Sequence, residues 1–241
     1  MKQFICILTF LVFILGSYSF AFGQSSKSDP DQGFRRILTE EKRENWEGNP
    51  EYWQFEDGIL IGEVPEASPL RGNIFYRWEK EVTNFELKVE YRISSKGNSG
   101  IYYRSTASKE NENVLLGYQA DIDGANTYSG IVYENYEDRG HQILANRGQV
   151  IQVSEQDVPA EIGSVGQSEA LATKINSDGW NSYHLIVRGD TIIQMLNGQV
   201  MCILIDRYTN RVKKGMLGVQ LHQGPPMKVE YRNFRFKKLP G

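Results

Sequence analysis

The stretch Leu116-Gly117-Tyr118-Gln119-Ala120-Asp121-Ile122-Asp123 alternates apolar and polar side chains along most of its length. In a β-strand, successive side chains point to opposite faces of the sheet. The even-numbered residues from Tyr118 to Ile122 then share one face, and the odd-numbered residues from Gln119 to Asp123 share the other. The pattern predicts a strand with one face in a core and an amide and two carboxylates on its other face. A solvated strand face gives the same pattern, so other strands have to bring partners to these groups.

Strand patterns recur on both sides of this stretch. Phe85 to Ile93 alternates apolar residues with residues of alternating charge, which indicates cross-strand ion pairs on a wet face. Asn197-Gly198 is a strong hairpin signal, and a change of parity in the apolar pattern requires a bulge near Arg232 or Asn233. About a dozen strands, without a long amphipathic helix or an internal repeat, predict an all-β sandwich or barrel.

The N-terminus has the features of a secretory signal peptide. Lys2 precedes an almost wholly apolar run, and small residues follow it, so we expect cleavage after residue 23. The run is shorter than the ~20 residues that a membrane span needs, and no later segment is apolar enough to cross a bilayer. The sequence therefore predicts a signal peptide over 1–23, a leader over 24–44 and one domain over 45–241. The expected location is periplasmic or secreted.

Charge and cysteine content exclude several classes of function. The formal net charge is −3 at pH 7, so there is no basic excess to attract nucleic acid. Removal of the signal peptide takes away Cys6 and leaves Cys202 as the only cysteine. A disulfide within the mature chain is therefore excluded. Cys202 lies in an apolar stretch that reads as a buried strand, which argues against thiol catalysis.

Several predicted strands direct polar side chains to the same outer face as Gln119 and Asp121. A cation, carboxylates, amides and a histidine on one face suit sugar recognition and proton transfer. The competing interpretation is an ordinary solvated face, which antiparallel sheets commonly keep. The candidates for this face are Arg104, Gln119, Asp121, Asp123, Gln220 and His222, with Glu134 and Arg147 as further members and Tyr102 and Tyr76 as flat platforms for sugar rings.

The same residues suggest two more specific kinds of site, a metal site and the carboxylate pair of a glycosidase. Asp121, Asp123 and His222 include plausible ligands for a divalent metal, but no recognised metal-binding spacing is present. Laminarinase-type sandwiches carry their catalytic carboxylates as E-x-D-x-x-E on one strand. Here Gln119 and Gly124 replace the two glutamates, which argues against the ordinary retaining glycosidase mechanism.

Taken together, the chain resembles the 3-keto-disaccharide hydrolase domain family, a concanavalin A-like jelly-roll group. The resemblance implies an all-β concanavalin A-like β-sandwich (jelly roll) of two antiparallel sheets. It runs from about Trp46 to Leu239 and is specific in the order of its pieces. These pieces are Trp46 and residues 53–63, 85–87, 97–101, 117–121, 180–183, 196–198, 218–222 and 229–235.

The resemblance implies cleavage of glycosides whose sugar ring is oxidised at C3. A base removes the acidified proton at C2, the C1 substituent leaves by elimination, and water adds to the enone. Asp121 or His222 would be the base, and Arg104 or a bound metal would stabilise the enolate. The expected substrate-binding residues are Gln119, Asp123, Glu134, Gln220, Tyr102 and Arg147.

Two alternatives remain open at this point. The same scaffold also carries non-catalytic carbohydrate-binding modules, because one fold serves many functions. A conventional hydrolase of unmodified polysaccharide is the third possibility. In each case the expected partner is a carbohydrate, no cofactor is certain, and the sequence does not determine the oligomeric state.

Overall fold

A computed structural model describes residues 31–67 and 69–241. Residues 33–241 form one compact unit. The predicted signal peptide lies outside the described residues and remains a prediction. Among the described residues, no helix is long and apolar enough to span a membrane.

The described residues form seventeen strands, one short α-helix and two 3₁₀ helices. The helices are α1 (Ser168–Ala172) and the 3₁₀ turns Glu40–Asn45 and Glu137–Arg139. The strands are β1 (Arg35–Arg36), β2 (Trp46–Glu47), β3 (Trp53–Glu56), β4 (Ile59–Val64), β5 (Ile74–Val82), β6 (Phe85–Ile93), β7 (Asn98–Ala107), β8 (Leu115–Asp123), β9 (Val132–Glu134), β10 (Gln142–Ala145), β11 (Gln149–Val153), β12 (Pro159–Ser164), β13 (Asn181–Arg188), β14 (Thr191–Leu196), β15 (Gln199–Asp206), β16 (Gly215–Leu221) and β17 (Met227–Lys238).

Two sheets build the molecule. The ten-stranded sheet runs β12-β11-β15-β14-β13-β6-β17-β4-β3, with β1 beside the far end of β17. The seven-stranded sheet runs β10-β9-β8-β7-β16-β5-β2. Among the described strands, β11 and β15 form a parallel pair and all other pairs are antiparallel. The predicted all-β sandwich is confirmed.

The core lies between the two sheets. The apolar face of β8, with Tyr118, Ala120 and Ile122, belongs to the same buried cluster as Leu87 of β6 and Leu185 of β13. Burial of these alternating side chains fixes the register, because a one-residue slip would exchange the two faces of each strand. Cys202 of β15 is fully buried, as the sequence predicts.

The structure agrees with some local predictions from the sequence and differs from others. Asn197 and Gly198 both have positive φ, 51° and 79°, as a two-residue hairpin turn requires, and Asn233 (φ 57°) lies at the predicted bulge of β17. The folded unit begins earlier than the predicted boundary at residue 45, because β1 pairs with β17 and Ile37 is buried. Residues 156–173 contain the edge strand β12 and the helix α1.

Paired charges cover part of the outer face of the ten-stranded sheet. Arg232 Nε lies 2.8 Å from a Glu90 oxygen, and Lys237 Nζ lies 3.3 Å from a Glu86 oxygen. Arg92 and Glu230 form a two-pronged pair. These six residues are called the charge ladder below, and they confirm the cross-strand pairing expected from the alternating signs on β6.

Candidate functional site

A cleft of about 430 Å³ opens on the outer face of the seven-stranded sheet. Strands β8, β7 and β16 form its floor, and loops before β9 and β10 form one rim. It is lined by Asn73, Asn98, Tyr102, Val114, Leu116, Gln119, Asp121, Tyr128, Ile131, Tyr133, Asn135, His141, Ile143, Gln220 and His222. The structure therefore brings together five of the predicted site residues: Tyr102, Gln119, Asp121, Gln220 and His222.

Strand register explains how the floor is built. Asp121 of β8 lies opposite Gly100 of β7, and Gln119 lies opposite Tyr102. The Gln119 side chain extends over Gly100, where an added Cβ would come within 2.3 Å of Gln119 Nε2. A glycine at position 100 is therefore what allows the amide to lie across the floor.

A chain of neutral groups crosses the floor. Gln119 Nε2 donates to Ser99 O and to Gln220 Oε1, both at 3.2 Å. Gln220 Nε2 in turn makes a long contact of 3.5 Å with the Tyr102 hydroxyl. Because both N–H groups of Gln119 are engaged, its Oε1 is left as an acceptor facing the cleft.

The floor is also attached to the opposite sheet. Ser99 Oγ donates to the backbone oxygen of Gln220 and lies 2.7 Å from the Tyr231 hydroxyl of β17. All three residues are almost completely buried. The polar groups under the cleft are therefore satisfied, which favours one well-defined arrangement of the floor.

Asp121 is the unusual group of the cleft. Its side chain is only 8% exposed, and its Oδ1 has no hydrogen-bond partner among the described residues. Burial, together with the nearby negative charge of Asp123, raises the pKa of Asp121 to about 8. At neutral pH this carboxyl group is mostly protonated, and it can give up or take a proton close to that pH.

Tyr102 is placed to act as a neutral donor. Burial, with a smaller contribution from the Asp121 charge, raises the pKa of Tyr102 far above its ordinary value, so the hydroxyl keeps its proton. The ring packs edge-to-face against Phe75, with 4.9 Å between centroids. This contact fixes the direction in which the hydroxyl points.

His222 lies at the half-exposed mouth of the cleft. Its Nδ1 is 2.6 Å from the backbone oxygen of Gln223, and its backbone N–H donates to Asn98 O at 3.3 Å. A carbonyl oxygen only accepts, so Nδ1 carries the proton and the neutral ring keeps a lone pair on Nε2. A second histidine, His141, lines the opposite rim.

Arg104 does not lie in the cleft. Its φ is 49°, and the β7–β8 register shifts between Tyr103 and Thr106. The guanidinium instead donates to Thr83 O at 2.9 Å and to Gly189 O at 3.0 Å. The predicted placement on the polar face is corrected, because this bulge interrupts the alternation of side chains.

Glu134 also lies on the other side of its sheet. It pairs with Tyr118, whose ring is in the core, whereas its neighbour Tyr133 pairs with Gln119 and faces the cleft. Its Oε2 has no partner within the described part of the chain. Burial, partly opposed by Arg139, raises the pKa of Glu134 to about 7. The predicted contact with substrate is not supported by this position.

Three further predicted residues make contacts within the protein instead. The Asp123 carboxylate accepts backbone N–H groups, including that of Tyr128 at 2.8 Å. Arg147 donates to backbone oxygens, including that of Ser129 at 2.7 Å. Tyr76 stacks on Trp46 with 5.6 Å between centroids, so its ring is occupied by another ring of the protein.

The cleft contains residues that sequence reasoning missed. Tyr128 and Ile143 are 47% and 42% exposed, and both lie on the rim. Tyr133 has a recognisable signal, because it follows Val132 in a short strand and takes the opposite face. Tyr128 and His141 lie in loops, where the period of two that identifies a strand face does not apply.

A second, larger cleft of about 750 Å³ adjoins the first at Asn73. The carboxylate of this second cleft, Glu47, lies 2.6 Å from Arg77 Nη2. The hydrogen bond from Arg77, together with its charge, lowers the pKa of Glu47. The second cleft therefore lacks a counterpart of Asp121 among its described lining residues.

The predicted metal ligands do not form a set. Within residues 31–67 and 69–241, no group of three or more His, Cys, Asp or Glu side chains is arranged to hold a metal ion. Asp123 is held by the N–H groups of its own loop, which leaves Asp121 and His222. These two residues alone do not fit a divalent ion.

Comparison with known proteins adds a family and several similar folds. The family described as 3-keto-alpha-glucoside-1,2-lyase-like domain matches residues 33–237. A candidate glycosyl hydrolase from Parabacteroides distasonis is 17% identical with a TM-score of 0.54, covering 86% of this chain and 99% of that one. The carbohydrate-binding module CBM66 from Bacillus subtilis is 14% identical with a TM-score of 0.52, covering 80% and 96%.

A third structure, a Bacillus subtilis protein with a galectin-like fold, is 13% identical with a TM-score of 0.50, covering 85% and 94%. At these identities the likenesses show the fold alone. No curated protein matches the chain.

Proposed function

The chain belongs to the 3-keto-alpha-glucoside-1,2-lyase-like domain family, and from this membership and the cleft geometry we propose that it cleaves 3-keto-glycosides by elimination followed by hydration. The family indicates a sugar-active domain. The proposal assigns to that domain an oxidised sugar ring as substrate and named acid and base groups. The observation that carries it is the buried Asp121 carboxyl, which has no cationic partner among the described residues and opens into a cleft of neutral donors.

The reaction follows from the acidity of a proton next to a ketone. A base removes the proton from C2, and the C–H electron pair forms an enolate with the C3 ketone. The enolate then forms the C1–C2 double bond and expels the C1 oxygen, which takes up a proton. Water adds at C1 of the resulting enone, and C2 regains a proton. The sum is one glycoside and one water giving a free 3-keto sugar and an alcohol.

His222 suits the role of base. Its Nδ1–H is held by the oxygen of Gln223, so Nε2 presents a lone pair at the mouth of the cleft. The same ring carries the proton while the enone is hydrated and returns it to C2. General base catalysis by a positioned histidine typically contributes about 10²–10⁴-fold to a rate.

Asp121 suits the role of acid. With a pKa of about 8 it is mostly protonated at neutral pH and can donate to the departing C1 oxygen. The carboxylate that results can then activate the water that adds at C1. A carboxyl group kept neutral by an apolar surrounding is a known way to run acid catalysis near pH 7.

Tyr102 and Gln220 suit the enolate oxygen. Both present N–H or O–H groups that stay neutral, and both line the same cleft as Asp121 and His222. Preorganised donors of this kind stabilise a developing oxyanion in a site shielded from water. They take the role that the sequence prediction gave to Arg104.

The experiment is a comparison of matched 3-keto and unoxidised glucosides, with and without a chelator, following release of the aglycone. Release from the oxidised glucoside alone is expected, because only that ring has an acidified C2 proton. Equal release from both glucosides, or no release from either, contradicts the proposal. Loss of activity with the chelator would contradict the metal-free assignment of the acid and base.

A non-catalytic carbohydrate-binding module is the second candidate. The amide chain of the floor and the exposed rim of Tyr128 and Ile143 favour it, because they suit sugar binding without any proton transfer. Saturable binding of unoxidised glycans, without cleavage of any oxidised glycoside, would support this candidate over the enzyme.

A further inference from the structure

The loop over residues 124–130 joins β8 to β9 along the edge of the cleft that carries Asp121. It folds back on β8, because Gly130 N donates to Asp121 O at 3.2 Å and Asp121 N donates to Ile131 O at 3.3 Å. The loop therefore borders β8, the strand of Asp121, whereas His222 follows β16, two strands away in the sheet.

Asp123 holds this loop from the strand side. Its oxygens accept the backbone N–H groups of Thr127, Tyr128 and Ser129 at 3.0, 2.8 and 2.8 Å. The Ser129 hydroxyl adds a contact at 3.1 Å. Three consecutive N–H groups on one buried carboxylate leave the backbone of the loop little freedom.

Arg147 holds the same loop from the other side. Its Nη1 donates to Asn126 O at 3.1 Å and to Ser129 O at 2.7 Å, and its Nε donates to Ser168 O at 3.0 Å. The arginine is 9% exposed. The Asp123 carboxylate thus accepts hydrogen bonds from the N–H groups of this short loop, and the Arg147 guanidinium donates to its carbonyl oxygens.

Tyr128 lies between these two anchors. Its backbone is fixed, yet its side chain is 47% exposed and lines the cleft with Ile143 and Tyr133 beside it. An exposed aromatic ring on a rigid loop can pack against the apolar face of a sugar ring, with little ordering entropy to lose on binding.

We propose that Tyr128 packs against the leaving-group ring of the substrate, and that Asp123 and Arg147 are positioning residues that hold Tyr128 there. The inference rests on the proposed function, in which Asp121 protonates the leaving oxygen, because Tyr128 lies on the Asp121 side of the cleft. A substrate whose leaving group is a second sugar benefits from this contact, and one that releases methanol does not.

The test compares 3-keto-trehalose with methyl 3-keto-α-glucoside through the ratio of their kcat/KM values. Tyr128→Ala is expected to lower this ratio about tenfold, mainly through KM for the disaccharide, and Tyr128→Phe to restore most of it because the ring is kept. Ile162→Ala is the matched control, since Ile162 is a 54% exposed residue of β12 outside the cleft. An unchanged ratio in Tyr128→Ala overturns the proposal.

A double-mutant cycle tests the positioning role. Arg147→Met is expected to lower the ratio in the wild-type background and to lower it no further in Tyr128→Ala, because the two act through one contact. Equal loss with both substrates means a merely structural role and overturns the assignment. If Arg147→Met fails to fold, Arg147→Lys, which keeps the charge but loses the fork of N–H donors, replaces it in the same cycle.

Amide hydrogen exchange provides a readout that does not depend on activity. The N–H groups of residues 127–129 are expected to exchange slowly in the wild type and at least tenfold faster in Arg147→Met. Unprotected amides in the wild type overturn the positioning role.

If the wild type cleaves neither 3-keto substrate, the proposed function fails, and calorimetric binding of trehalose against methyl α-glucoside then decides the role of Tyr128. A preference for trehalose that Tyr128→Ala removes supports the contact, and the lack of such a preference overturns it.

Discussion

The charge ladder and the cleft floor are both built from strands that alternate apolar residues with polar ones. Their surroundings nevertheless shift the pKa of a carboxyl group in opposite directions. On the ladder, hydrogen bonds from Arg92 lower the pKa of Glu230. Burial alone would raise the pKa of Glu90, but hydrogen bonds from Asn233 and Arg232 outweigh it and lower the value. On the cleft floor, burial and the nearby charge of Asp123 raise the pKa of Asp121 to about 8.

The difference shows which carboxyl group can exchange a proton near neutral pH. Paired groups on the ladder remain charged and contribute little beyond solubility and modest stability. Glu134 refines the comparison, because burial raises its pKa to about 7 although it faces away from the cleft. A raised pKa identifies a functional carboxyl only where the group also opens onto a space that can hold a substrate.

The largest expected effect is a loss of kcat on substitution of Asp121, which no ladder carboxylate should share. Asp121→Asn is expected to lower kcat about 10³-fold for a 3-keto-glycoside with a sugar leaving group, because the departing oxygen loses its acid. With a nitrophenyl leaving group, which needs no protonation, the loss is expected to be only about tenfold by the same reasoning. Steady-state kinetics on both substrates check the prediction.

Glu90→Gln is the matched control for that substitution, because it removes a carboxylate from the ladder without touching the cleft. Its kcat is expected to equal that of the wild type on both substrates. Equal losses with the two leaving groups in Asp121→Asn would contradict the role of acid.

The next effect concerns the floor donor. Tyr102→Phe is expected to lower kcat about 10²-fold, the size of loss seen when one oxyanion donor is removed. Tyr118→Phe is the contrasting variant, since its hydroxyl donates to buried Asp206 on the core side of the same sheet. It is expected to cost about 2 kcal/mol of stability at unchanged kcat, because the lost hydrogen bond is to a charged group. A Tyr102→Phe enzyme with full kcat would remove Tyr102 from the site.

The third effect is a difference in the pH dependence of stability. The folded chain binds the Asp121 proton more tightly than the unfolded chain, so stability from this group is full below about pH 4 and is lost as the pH rises toward about 8. Relative to Asp121→Asn, the wild type is expected to lose up to about 1.4 kcal/mol per pH unit within that window.

The ladder has the opposite sign. The lowered pKa values of Glu90 and Glu230 mean that their contribution is present above the unfolded pKa and is lost on acidification. Chemical denaturation of the wild type, Asp121→Asn and Glu230→Gln across this pH range checks both signs. Parallel curves for all three proteins would contradict the contrast between the two regions.

The smallest effect is expected from a single ladder position. The Lys237 ammonium lies 3.3 Å from Glu86 and is 35% exposed, so Lys237→Gln is expected to change the free energy of unfolding by about 1 kcal/mol or less. Denaturant unfolding with unchanged activity checks this value. A loss of several kcal/mol would mean that the ladder is a structural necessity.

The sequence predicts those parts of the site that depend on a period of two. Gln119, Asp121 and Gln220 reach the cleft because β8 and β16 keep their alternation. The bulge at Asn233 was visible because the apolar pattern of β17 changes parity there. The bulge at Arg104 gives no such signal, since polar residues follow it, and the side chain turns away from the expected face.

Loops account for the rest of what sequence reasoning missed. Asp123 continues the alternation of β8, but the chain turns directly after it and provides three N–H groups for its carboxylate. Arg147 meets that loop only through tertiary packing. Such long-range contacts depend on the whole topology, so residue spacing could not have predicted them or the position of Tyr128.

The hydrogen bond between Ser99 and Tyr231 links the floor of the cleft to the opposite sheet, whereas the rim of the cleft consists of loops. Chemistry and substrate choice are therefore assigned to parts of the chain that can change separately. Under the proposed function, residues 124–130 could be exchanged to accept a different leaving group while the floor, which would hold the oxidised ring, is kept. In the same way, proteins that share this scaffold could come to accept different leaving groups while the reaction stays the same.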